Sequence, residues 1–127
     1  MPTGRYIDKK DIRRLRDPRD LANVARAEVT HATRGFVTQV LQMVFHNHSA
    51  AQRVVSVHLV PSVAGVAGVA ANDNLLFVLT IPINGTMTLT EEDFGSMGLV
   101  LSEVNDQVQA FADAAASVSV SAAGIYQ

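Results

Sequence analysis

The residues best suited to chemistry in this chain are its four histidines, His31, His46, His48 and His58. Three imidazole nitrogens can hold a zinc ion. His46-x-His48 would place both rings on one side of an extended strand, where a neighbouring strand can bring up His58. On a helix the same two positions diverge by about 200°. Our reading puts them at the fraying end of a helix, where an imidazolium complements the dipole and holds no metal. Nucleophilic catalysis needs a hydroxyl or amine beside an activating base, and the chain has many hydroxyls but no nucleophile elbow and no Ser-x-x-Lys pattern. Gly65 and Gly68 are not followed by Gly-Lys-Ser/Thr and form no Gly-x-Gly-x-x-Gly fingerprint, so phosphate-loop and dinucleotide readings fail. Glu91, Glu92 and Asp93 read as partners of a helix dipole rather than as ligands of a hard cation. No catalytic, cofactor-binding or metal-binding residue is assigned, and a non-enzymatic protein without a cofactor is expected.

The charge is divided along the chain. All ten Lys and Arg residues fall in the first 53 positions, seven of them between Arg5 and Arg19, while the stretch from Val54 onward holds seven carboxylates and no cation. A split of this kind bears on association and solubility rather than on fold. Lys9, Lys10, Arg13, Arg14 and Arg16 surround Ile7, Ile12 and Leu15, the pattern of a short amphipathic helix beginning after Asp8. Nucleic acid is one partner for such an arm, since phosphate neutralisation needs only clustered cations. The interspersed Asp8, Asp11, Asp17 and Asp20, the net charge of −2 and the lack of tryptophan weigh against it. The favoured partner is a second copy of the chain, met through an acidic face of Glu103, Asp106 and Asp113.

The elements that must position these groups are read from periodicity. Asp17-Pro18-Arg19-Asp20 fits the start of a helix. Leu21, Ala25, Val29, Ala32, Phe36, Val40 and Met43 then make one apolar stripe, so a helix is expected to about Phe45. Its last turns are apolar nearly all round, which assigns Leu41 and Phe45 to a contact with a partner. Arg53 to Val60 alternates as a half-buried strand, and Leu75 to Ile83 is apolar enough for a central strand covered on both faces. Pro82 requires an edge or a bulge at its end. Asn84-Gly85 marks a hairpin, with Met87 and Leu89 inward on the next strand. Thr90 caps a second helix carrying Met97, Leu101, Val104, Val108, Phe111 and Ala115 on its core face, and Ser117 to Ser121 is a final short strand.

The expected fold is therefore α+β in the order α-β-β-β-α-β, a small, mainly antiparallel sheet of about four strands backed by two helices. Residues 1–17 form a basic arm and 18–127 a single domain, as suits a chain of 127 residues. A composition of 48% hydrophobic and 17% charged residues is that of a globular protein. No apolar run reaches the ~18 residues of a bilayer span, and Met1 to Arg19 lacks the apolar segment of a secretory signal. A cytoplasmic location, or one within an assembled particle, is expected, with no membrane partner. Cysteine is absent, which removes disulfides and thiolate sites. The triplets Asn47-His48-Ser49 and Asn84-Gly85-Thr86 match the glycosylation pattern by chance.

One segment, Val63 to Ala71, repeats Val-Ala-Gly without charge or bulk. It reads as a long hairpin loop, or as an apolar loop ordered only against a neighbour through Val63, Val66 and Val69. Basic arm, acidic face and apolar loop are complementary but non-identical patches, the arrangement that builds rings, shells or filaments. By topology-level analogy with virus and phage particles, the expected function is a structural subunit of a homo-oligomeric or repeating assembly. The rivals are a small-molecule-binding or enzymatic domain with a pocket near Ser56, His58 and Asn72 to Asn74, and a nucleic-acid accessory protein working through the arm.

Overall fold

Among the described residues, 12–22, 28–33, 37–95 and 98–126, the computed structural model contains nine β-strands. One sheet runs β1 (Arg13–Asp20), β9 (Val118–Tyr126), β3 (Thr38–Asn47), β6 (Thr86–Leu89), with β7 (Leu99–Leu101) pairing the first half of β3. The other runs β2 (Glu28–His31), β8 (Gln107–Ala112), β4 (Arg53–Val60), β5 (Leu75–Ile81). All pairings are antiparallel. The chain crosses between sheets at every connection except β4 to β5 and β6 to β7. This interleaving is the jelly-roll arrangement, a double-sheet solution to the problem of free strand edges.

Alternation supplies the core. Met43 and Phe45 of β3 and Val118, Val120 and Ala122 of β9 face Val55 and Val57 of β4 and Val108, Ala110 and Ala112 of β8, all of them buried. Each fully buried large apolar side chain contributes about 1.5–3 kcal/mol, so the facing sheets are held chiefly by this layer. Asn47, itself buried, ties the sheets together at one end: its amide donates to the carbonyls of Ala51, Ile81 and Pro82 at 2.8, 3.0 and 3.2 Å. Its oxygen accepts from the backbone and hydroxyl of Ser49 at 2.9 and 2.7 Å. Asn47 is thus a structural clamp, and its burial removes it as a glycosylation acceptor.

The expected α+β fold is overturned. Where a helix was expected from Pro18 to Phe45, the chain forms the end of β1, then β2 and β3; residues 23–27 and 34–36 lie outside the described residues. The apolar character all round Leu41 to Phe45 is that of a central strand, flanked by β9 on one side and by β6 and β7 on the other. The second expected helix is realised only as α1 (Glu91–Phe94), after which the chain enters β7 and β8. Its capping box is present, with Thr90 accepting from Glu92 N at 3.3 Å and Asp93 accepting from Thr90 N at 2.8 Å, but a cap starts a helix without prolonging it. Asn84-Gly85 does form a turn, closed by a 2.9 Å bond from Gly85 N to Pro82 O. It is a corner between sheets and not a hairpin, because β6 pairs with β3. Leu89 is buried as expected, whereas Met87 is 36% exposed at the rim. β5 is not central but an edge.

Strand β4 has the expected bounds, the connection from β4 to β5 is a hairpin loop, and β9 extends the expected final strand. No helix among the described residues is long and apolar enough to cross a membrane.

Candidate interaction surface

The expected site residues do not gather in one place. Lys9 and Lys10 lie outside the described residues. Arg13, Arg14 and Arg16 belong to β1 and pair with Gly124, Ala123 and Ala122. Arg13 stands over the Tyr126 ring at 5.8 Å and Arg14 reaches Asp17 at 3.3 Å, an exposed pair that contributes little. Arg16 turns inward, with Nη1 3.5 Å from Val29 O and Nε buried without a partner among the described residues. Burial pushes its guanidinium below the ordinary value, Arg19 pushes the same way, and Glu28 opposes both.

Glu103, Asp106 and Asp113 do not form one face, because no helix carries them. Asp106 and Asp113 flank the two ends of β8, about 23 Å apart on an extended chain. Asp106 is engaged internally, accepting from Ser62 N and Oγ at 2.8 and 3.0 Å and from Glu103 N at 3.0 Å. Asp113 has Arg53 at 3.9 Å. The arm-to-acid docking surface therefore loses its acidic half.

The histidines also disperse. His31 Nδ1 lies 3.2 Å from Glu28, His46 Nδ1 2.9 Å from Thr86 Oγ1, and His48 Nε2 2.7 Å from Asp20. His46 is on a strand and not at a helix end. His58 is buried against Phe111, ring centroids 5.4 Å apart. Its Nδ1 sits 3.1 Å from Ala71 O and 2.8 Å from Asn74 Oδ1, two acceptors that place the hydrogen there. His58 and Asn74 are engaged with each other, while Asn74 and Asp73 also border an open cleft. No three His, Cys, Asp or Glu side chains converge on a metal position among the described residues.

What does gather is apolar surface. Leu41 and Phe45 are buried within the chain, the correction that follows from β3 being central. Val63, Val66 and Val69 are 72%, 66% and 49% exposed. Their loop is nonetheless held by its own chain, since Gly65 O accepts from Asn105 at 2.6 Å, Val69 O from Asn74 at 3.0 Å and Gly68 O from Gln109 at 3.3 Å. A neighbour is not needed to order it. Beside it, Leu76 and Val78 of β5 and Val54 of β4 are exposed on the outer face of the sheet. A cleft of about 430 Å³ between Leu59, Leu75, Leu76 and Val100 continues this surface.

No protein family, curated protein or solved structure matches this chain.

The sandwich itself shows which edge is unguarded. Natural edges are blunted by shortness, charge, proline or bulges. β1 carries exposed arginines, Pro18 and two register breaks; β2 and β6 have four residues each and β7 three. β5 has seven residues, Leu-Leu-Phe-Val-Leu-Thr-Ile, with no charge and no proline; its register against β4 breaks once, at Leu76, which leaves Phe77 to Ile81 uninterrupted. Between Val54 and Thr90 the only formally charged side chain is Asp73. The sequence carried a signal for this edge in Pro82, which required an edge or a bulge at that end, while the apolar run was read as a central strand.

Proposed function

We propose that this chain is a non-enzymatic structural subunit that assembles with copies of itself. The observation that carries the reading is β5: a long, uncharged, apolar strand left as an open edge, with exposed Val54, Leu76 and Val78 alongside. On a monomer such an edge invites uncontrolled pairing; in an assembly it is covered. Jelly rolls serve as capsid subunits, lectins and cupins, so the architecture is compatible with a virus or phage particle without deciding it. The cationic strand supports a two-sided subunit, because β1 lies against β2 and β5 against β6, at opposite edges of the sandwich. Absolute mass in solution, from light scattering on the full chain, tests the reading. A defined oligomer is expected, and a monomer at every concentration would overturn it.

A second reading rests on the exposure of Arg13, Arg14 and Arg19 along β1, which leaves them free to meet phosphates. It predicts salt-dependent retention on immobilised nucleic acid that is lost when Arg13, Arg14 and Arg19 are all changed to glutamine. Retention unchanged by that triple substitution would exclude β1 as the contact.

A further inference from the structure

We propose that the cleft between β1 and β2 binds a small oxyanion of the phosphate class, gripped by Arg16 and Arg19. Their placement begins with a bulge. Arg16 opposes Ala122 on β9 and Arg19 opposes Val120, so three steps along β1 are matched by two along β9. Without the extra residue, positions three apart on a strand would fall on opposite faces. Residues directly opposed in an antiparallel pair point to the same face. Ala122 and Val120 belong to the core, so both arginines stand on the face of β1 that is turned toward the other sheet. Arg16 reaches across to that sheet, with Nη1 3.5 Å from Val29 O of β2.

There the two arginines line a cleft of about 260 Å³ together with Asp17, Glu28, His31 and Thr33. Both carboxylates have other partners, Asp17 in Arg14 at 3.3 Å and Glu28 in His31 at 3.2 Å and Gln107 at 3.0 Å. Neither Arg16 nor Arg19 forms an ion pair with a carboxylate among the described residues. They repel each other instead: after burial, the Arg19 charge is the next cause that pushes the Arg16 guanidinium down, with Glu28 opposing. With Nη1 turned to Val29 O, the Nε–Nη2 edge of Arg16 is left, and Nε is buried with no partner among the described residues. That edge of a guanidinium is the one that holds an oxyanion through two parallel bonds. An inward charge can guard an open strand edge, but guarding requires neither a second cation beside it nor an unsatisfied buried donor. An oxyanion accounts for both, since it accepts from Nε and offsets the repulsion. A phosphate dianion matches the charge of two guanidinium groups, where a carboxylate matches one, and Thr33 adds a hydroxyl. The volume lies below that of sites for drug-sized ligands, which suits inorganic phosphate or a small phosphomonoester.

The site needs no second copy and is independent of self-assembly. Inorganic phosphate titrated into the full chain at constant ionic strength tests it, with the arginine Nε–H signals and the backbone amides of β1 and β2 followed by NMR. A saturable shift of the Arg16 Nε–H signal is expected with phosphate and not with acetate. Arg19→Gln, at an exposed position, and Arg16→Lys, which keeps the charge but removes the fork, are each expected to weaken binding about tenfold or more, read from the backbone amides. Their far-ultraviolet circular dichroism spectra should match that of the parent chain. Shifts that rise without saturation, equal shifts with acetate, or undiminished affinity in Arg19→Gln would overturn the site. A thymidine oligonucleotide separates a small phosphate from a nucleic-acid backbone. It is expected to leave the Arg16 Nε–H signal in place, and movement of that signal by the oligonucleotide but not by inorganic phosphate would overturn the small-anion assignment.

Discussion

Asn47 and Gly124 show how much single positions determine here. Asn47, at the end of β3, donates to the carbonyl of Ile81 in the facing sheet and to those of Ala51 and Pro82 in the two connections between the sheets. Pro82 O keeps Gly85 N and Ala51 O keeps Ser49 Oγ, but Asn47→Ala removes the amide from the buried Ile81 O and the acceptor from Ser49 N, each such loss costing about 1–3 kcal/mol when the group stays dry. A destabilisation of several kcal/mol is expected in urea unfolding, and a value within ordinary surface scatter would show that water replaces the amide. Gly124 lies where β9 pairs both β1 and β3, and a Cβ there would overlap Gln39 O and press on Leu15 Cδ1 at 2.8 Å. Gly124→Ala is expected to cost at least the ~1–3 kcal/mol of an overpacked core, read as a lower urea midpoint. Phe45, fully buried on β3, is expected to cost about 3–5 kcal/mol on change to alanine. The same experiment would separate this core role from a role in association, since a surface contact would alter mass and not stability.

At the scale of elements, the loop from Pro61 to Ala71 is the informative case. It has few apolar contacts of its own and is fastened by Gln109, Asn105, Asn74 and His58. Gln109→Leu removes both the acceptor for Ala70 N and the donor to Gly68 O. Faster proteolytic cleavage within residues 61–71, with the core strands still protected from hydrogen exchange, is the expected result; unchanged cleavage would mean that the remaining bonds suffice. Elements also show what the sequence could disclose. β4, flanked by strands, was legible in its bounds and in inward Val55 and Val57, whereas His58 on its outer face is buried under the loop. β3 was not: Thr38 to Leu41 are all buried and hide the alternation that Gln42 to Asn47 show, and Val29, Val40 and Met43 fall by coincidence at helical spacing with Leu21. In β8 the inward set Val108, Ala110 and Ala112 was likewise masked by the i, i+3, i+4 spacing of Val104, Val108 and Phe111. The Thr90 capping box was read correctly as a start signal, yet nothing local states that the helix lasts a single turn, because that is decided by β7 pairing with β3. The candidate surface was half legible. The loop valines are exposed as their composition implied, whereas Leu41 and Phe45 were misplaced with the helix that carried them, and the edge position of β5 is a property of sheet order, which one sequence does not spell out.

At the scale of the whole molecule, the charge split becomes a division of edges, with arginines along β1 and uncharged apolar surface along β5. An assembly held through the apolar edge should keep its mass from low to high salt, since screening acts on exposed charges and leaves apolar contacts in place. Light scattering at the two salt concentrations checks this, and dissociation at high salt would return the contact to the arginines. The position of β9 between β1 and β3 has a different kind of consequence, one of timing. Arg13 pairs with Gly124, more than a hundred positions along the chain, so β1 leaves the ribosome long before its partner is made. Non-local pairings of this kind close slowly. Translation arrested before Val118 is expected to yield nascent chains digested by protease throughout, with protection arriving abruptly once β9 is free. During that interval the arginines of β1 stand unpaired in the company of ribosomal RNA.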